Sequence, residues 1–182
     1  FATNMAKARR GFQTSEQFQA IWNRRRGAFR TFLESYSFTL VDCPPSLAPQ
    51  VKFLLRVADG YVIPCVPDRI SLRGALYLLD RLEKDGFRKE AVGLLWTLFR
   101  RQNERHVTLV NALKRRGGDL GPLGRLPRPF NTVIPNATAI VRATEEVAPV
   151  PTLAAKYTPE FAGTFVGLCR EILVRTHAQA AL

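Results

Sequence analysis

Asp42 closes a short apolar run, S-F-T-L-V-D over Ser37–Asp42, and Cys43, Pro44 and Pro45 follow at once. A carboxylate ending an apolar strand can hold a hydrated Mg²⁺ beside a nucleotide's phosphates, because Mg²⁺ keeps several waters and takes few protein ligands. The same residue could instead cap the helix that follows. Spacing alone leaves both roles open. The two prolines stiffen the turn and remove two N–H donors. Three other segments end apolar runs in a similar way: Pro64–Pro67, Thr97–Arg101 and Pro135–Asn136. In open parallel sheets, ligands bind beyond the carboxyl ends of the strands, so these four tips are the candidate ligand positions.

Other reactive residue types stand alone. His106 and His177 have no companion at metal-ligand spacing and read as surface residues. Cys43 has no neighbouring His or Lys in sequence to activate it and reads as a reduced, packed thiol. Ser46 lacks a G-x-S-x-G setting and reads as a helix cap. Trp22 and Trp96 lie in apolar patterns and read as core.

The elements that must position the four tips follow from periodicity. Thr14 or Ser15 opens a helix that runs to about Glu34 and carries Arg24, Arg25 and Arg26. Ser37–Asp42 reads as a strand. Leu47, Val51, Leu54, Leu55 and Ala58 recur at helical spacing. Tyr61–Val66 reads as a buried strand, with Pro64 near its end. Ser71 reads as the cap of a helix with Leu72, Ala75, Leu76, Leu79 and Leu82 inward. Ala91–Leu98 is a continuous apolar run, as in a strand covered on both faces. A helix spans about Glu104–Arg115. Residues 117–129 form a Gly/Pro-rich loop in which no regular element is expected. Phe130–Ile134 reads as a strand. A last helix starts at Thr158-Pro159, with Phe161, Phe165, Leu168 and Ile172 inward. Strands alternating with amphipathic helices predict a single α/β domain over 1–182, a doubly wound, mostly parallel sheet flanked by helices.

Composition bounds the partners. The 182 residues hold 27 Lys+Arg against 15 Asp+Glu, a net charge of +12, and are 46% hydrophobic. That is ordinary globular usage and excludes a disordered polyelectrolyte. No apolar run reaches the roughly 18 residues of a membrane span. Three widely spaced cysteines argue against a disulfide framework and for a reducing, cytoplasmic compartment. The charge is clustered: residues 1–30 and residues 100–128 carry the whole excess, six net positive charges each. Such clustering predicts a polyanion partner, nucleic acid first and an anionic membrane second.

Five segments together carry a family resemblance: L-V-D-C-P-P-S-L (Leu40–Leu47), A-D-G-Y-V-I-P-C-V-P (Ala58–Pro67), S-L-R-G-A (Ser71–Ala75), G-L-L-W-T-L (Gly93–Leu98) and T-V-I-P (Thr132–Pro135). In this order they resemble the ParA/Soj partition ATPases, the deviant Walker-A group of P-loop ATPases, over roughly residues 36–175. D-C-P-P-S is closer to the partition branch than to the MinD branch. The family's K-G-G-x-G-K-[ST] phosphate loop and its switch I segment do not occur in these residues. Phe1–Ala8 resembles the strand end and helix start that follow them, so a missing front of about 100 residues is expected, judged from the elements a doubly wound nucleotide-binding sheet requires. The family's usual Arg after T-x-I-P is Asn136 here, and its usual downstream Glu is Arg142.

The resemblance implies ATP and Mg²⁺ as cofactors in the intact protein. It implies that Asp42 holds the Mg²⁺ shell and helps place the attacking water, and that Pro44 and Pro45 shape switch II. Thr97, Phe99, Ile134, Pro135 and Asn136 would line the adenine end. It implies a homodimer, non-specific DNA, a ParB-like stimulator or cargo adaptor, a nucleoid location and no membrane. Arg100, Arg101, Arg105, Arg115, Arg116, Arg125 and Arg128 are the candidate phosphate contacts, expected on one surface at one end of the sheet. Without the phosphate loop, the chain alone is expected to be inactive as an ATPase. The alternatives are a non-catalytic DNA-binding module that lacks the loop and a MinD-like membrane-positioning ATPase.

Overall fold

The computed structural model describes residues 15–44, 46–115, 119–145 and 151–180. Thr14, Pro45, Arg116, Gly117 and Gly118 lie outside the described residues, as does the Phe1–Ala8 stretch. The side chains of Trp22, Arg25, Arg26, Arg30 and His177 also lie outside them. Two compact units divide the chain, residues 1–59 and 60–182.

In the first unit, helix α1 (Ser15–Glu34) packs against helix α2 (Pro49–Val57). Val51 and Phe53 are the buried residues of α2. The cap of α2 is Ala48, with no side-chain hydrogen bond. Ser46 is therefore not the cap; the start is set by Pro49, whose fixed φ and missing N–H suit the first helical turn. Between the helices, Ser37–Asp42 is not a strand. Residues 38–44 take no regular structure, and Leu40 is 85% exposed. An apolar, β-prone composition becomes a strand only where a neighbouring strand takes its N–H and C=O groups, and here none does.

The second unit is a parallel α/β sheet. Its elements are β1 (Tyr61–Cys65), α3 (Arg69–Lys84), β2 (Ala91–Phe99), α4 (Glu104–Arg115), a 3-10 turn (Gly121–Arg125), β3 (Pro129–Pro135), α5 (Thr138–Glu145), α6 (Leu153–Lys156) and α7 (Pro159–Ala180). The three strands stand in the order β1-β2-β3, and both pairings are parallel. Leu94 and Trp96, both fully buried, point to one face, where Ile63 and Cys65 meet Leu72 and Ala75 of α3 and Val110 and Leu113 of α4. Gly93 and Phe130 point to the other face, against Arg175 of α7. A parallel sheet flanked by helices is the expected class, and Trp96 is core as expected.

Local chemistry explains the remaining differences from the sequence reading. Asp68, not Ser71, caps α3; its carboxylate accepts from the Ser71 amide at 2.7 Å. Residues 117–129 are not wholly irregular. The Asp119 carboxylate accepts from the Gly121 amide at 2.7 Å and starts the 3-10 turn. That turn delivers Leu126, 2% exposed, into the core.

Candidate functional site

Three of the four candidate tips come together at the carboxyl ends of β1, β2 and β3. Leu98 has a positive φ of 51°. A left-handed backbone costs a non-glycine residue roughly 1–2 kcal/mol. The turn sits where the β2–β3 register slips between Trp96 and Phe99. It lets the Phe99 carbonyl accept the Asn136 amide at 2.8 Å, which ties the two tips directly. A second tie runs through side chains. With its carboxamide oxygen turned toward Arg100, Asn136 accepts from Nε at 3.0 Å and Nη2 at 3.1 Å. Beside this clasp lies an open concavity of about 590 Å³ lined by Arg100, Gln102, Asn103, Glu104 and Arg105.

His106 is buried rather than on the surface. It is 8% exposed, and its Nδ1 accepts from the Arg100 amide at 3.3 Å. A buried polar ring needs such a partner, and this one lies across a turn that periodicity does not show.

At the opposite end of the sheet, α7 holds β3. Between Leu94↔Pro129 and Trp96↔Val133, β3 advances four residues while β2 advances two. Such a bulge removes backbone groups from the ladder. Glu171 takes two of them: its carboxylate accepts from the amides of Asn131 and Thr132, both at 2.7 Å, and from the Thr132 hydroxyl at 2.6 Å. Lys114 Nζ donates to the Asn131 carbonyl at 2.8 Å. Arg175 donates to the carbonyls of Val92, Arg128 and Pro129 and lies 4.2 Å from the centre of the Phe130 ring. Burial pushes the Glu171 carboxyl up, but the Thr132 hydroxyl, the two amides and the Arg175 charge outweigh it and hold it below the usual carboxylate range. Sequence shows Glu171 and Arg175 only as a helical i, i+4 pair; their strand partners are some forty residues away or more.

Asp42 and Pro44 are exposed residues of the irregular 38–44 segment in the first unit. The neighbouring Cys43 thiol is pushed up by burial and then by the Asp42 charge, so it is not activated. Among the described residues, no group of three or more His, Cys, Asp and Glu could hold a metal ion. A lone exposed carboxylate can serve only an ion that keeps most of its own water.

The candidate phosphate contacts do not share one end of the sheet. Helix α4, about 18 Å long at 1.5 Å per residue, carries the chain from the carboxyl end of β2 back to the start of β3. Arg100, Arg101 and Arg105 lie at the carboxyl end; Arg115, Arg125 and Arg128 lie at the other. All six are exposed. Arg125 is paired with Glu83 at 2.8 Å, and Arg100 is held by Asn136. Among the described residues, no helix is long and apolar enough to cross a membrane.

Comparison with known proteins adds relatives across most of the chain. An uncharacterized Pseudomonas putida protein is 27% identical over 131 residues, covering 70% of this chain and 47% of that protein. The Caulobacter vibrioides chromosome partitioning protein ParA is 24% identical over 180 residues, covering 96% of this chain and 60% of that protein. The Treponema pallidum chromosome-partitioning ATPase Soj is 26% identical over 148 residues, covering 78% of this chain and 54% of that protein. The named relatives are chromosome-partitioning proteins. The chain is a distant relative of ParA and Soj, and it spans about half the length of the curated relatives it matches. No protein-family profile matches it.

Proposed function

We propose that this chain is part of a ParA-type partition ATPase. The intact protein couples ATP binding to dimerisation and to sequence-independent DNA binding, and answers to a ParB-like stimulator or a cargo adaptor. The observation that carries this reading is colinear similarity to ParA over 96% of the chain. The parallel sheet, with its tips tied at the carboxyl end, agrees with it.

In this reading the carboxyl ends of β2 and β3 hold the adenine, mainly through backbone groups. The Phe99 carbonyl and the Asn136 amide are already committed to each other. Recognition therefore falls to the Thr97 and Ile134–Pro135 backbone and to the Asn136 carboxamide. Arg100 engages the carboxamide oxygen, which leaves the amide nitrogen to donate. Asp42 would hold Mg²⁺, which when bound neutralises charge on the phosphates; the prolines beside Asp42 restrict the turn that presents it. Phosphoryl transfer depends on positioning and charge stabilisation, and these residues supply only part of both. The 182 residues alone are expected to bind ATP weakly and to release no phosphate above background in a turnover assay with Mg²⁺. Turnover that Asp42→Ala abolishes would contradict this.

A further inference from the structure

Helix α3 has an outer face that the sheet does not use. Its inner stripe, Leu72, Ala75 and Leu82, is buried in the core. On the opposite side, Ile70 is 84% exposed and Tyr77 is 64% exposed. They are seven residues apart, so they lie one above the other two turns along the helix. Gly74 falls between them, and a Cβ built there would meet nothing within 4 Å. The result is an apolar ridge with a notch at its middle, the relief that a second helix packs into.

The rim of this face is basic. Arg69, Arg73 and Arg81 are exposed around the ridge. Asp80 also lies on this side, but Lys84 binds it at 2.8 Å. Its carboxyl is held below the usual range by that hydrogen bond, with smaller help from Lys84, Arg125 and Arg81 as charges. With Asp80 taken up by Lys84 and shared with Arg81, Arg69, Arg73 and Arg81 leave the rim net positive around two large apolar side chains. Tyrosine and arginine beside an exposed aliphatic are the residue types that dominate binding energy at protein interfaces.

We propose that the outer face of α3 docks a negatively charged amphipathic helix from a partner protein, with apolar residues seated around Gly74 and carboxylates facing Arg69, Arg73 and Arg81. Charge complementarity selects this occupant. A second copy of this chain would bring like rims together in a two-fold contact, in a molecule that already carries +12. A nucleic-acid backbone would match the arginines but leave Ile70 and Tyr77 against phosphate. The proposal goes beyond the partition reading and stands independently of it.

The test selects a display library of helix-forming peptides on the 182-residue chain. Enriched peptides are then titrated by fluorescence anisotropy against the wild type, Ile70→Ser, Tyr77→Ser and the double variant Arg73→Glu/Arg81→Glu. Enriched peptides are expected to be acidic, with apolar residues at helical spacing. Either apolar substitution is expected to weaken them at least about tenfold, the loss typical of an interface hot spot. The double variant is expected to release them and bind counterparts with lysine at each acidic position. All four positions are exposed, so the melting temperature should not move, which separates lost binding from lost folding. Enriched peptides that are not acidic, or that bind every variant equally, would overturn the proposal. A dimer dissolved by Tyr77→Ser would overturn it in favour of a second copy. Duplex DNA binding lost in Tyr77→Ser would overturn it in favour of nucleic acid.

Discussion

Glu171 of α7 takes over hydrogen bonds that the β3 ladder lacks. A bulge strands two adjacent amides, and a single carboxylate on α7 accepts from both, with the Thr132 hydroxyl as a third donor. Hydrogen bonds to a charged acceptor are the stronger kind, and leaving their donors without partners costs about 1–3 kcal/mol. Because the folded-state carboxyl lies below its ordinary range, its contribution is fully present above the unfolded value of about 4.3. It is lost as the pH falls from there through the lower folded value. Glu171→Gln should therefore destabilise the chain by about 1–3 kcal/mol at neutral pH, and the gap to wild type should close on acidification. Denaturant unfolding of both proteins from about pH 7 down to about pH 3, which brackets the ordinary glutamate value, reads this directly. A gap independent of pH would mean that the charge is not what matters. The same scale shows what sequence conceals. His106 reads as a surface residue because its partner, the Arg100 amide, is set by a turn. Glu171 and Arg175 offer no sequence signal beyond their i, i+4 spacing, because their strand partners are distant along the chain.

Elements with strong periodicity were legible. The apolar runs of β1, β2 and β3 and the amphipathic repeat of α4 all form where their patterns place them. Ser37–Asp42 has equally good strand composition and forms none, because composition cannot supply a neighbour. The 3-10 turn at Gly121–Arg125 was hidden by its glycines and prolines, although Asp119 and the buried Leu126 give it a start and an anchor. Gly93 looked like one more residue of an apolar strand, yet it is where β2 and α7 approach. A Cβ there would collide with the Arg175 guanidinium, come within 2.7 Å of the Phe130 ring and reach 3.0 Å from the Arg128 carbonyl. The guanidinium can retreat; the ring and the backbone oxygen cannot do so cheaply. Gly93→Ala should cost about 1–3 kcal/mol, the usual penalty of overpacking. Thermal unfolding that matches wild type would contradict the close packing of α7 on the sheet.

At the scale of the whole molecule, the parallel sheet separates two kinds of surface. Its carboxyl end gathers Phe99, Arg100, Asn136 and His106 into a tied cluster, the place where such sheets hold ligands. The basic residues divide between the two ends, which the linear charge blocks did not reveal. A polyanion that engages the chain must therefore track along α4 or choose one end. Charge reversal at Arg115 and Arg128, compared with reversal at Arg101 and Arg105, separates the two. The proposed partition role with DNA as partner is tested most directly by the binding of duplex DNA to the 182-residue chain as a function of salt. Equal affinity for unrelated sequences is expected, with a logarithmic salt slope of about −3 if DNA takes the three arginines of one end and about −5 if it tracks along α4 to all six; a flat salt response would contradict DNA binding.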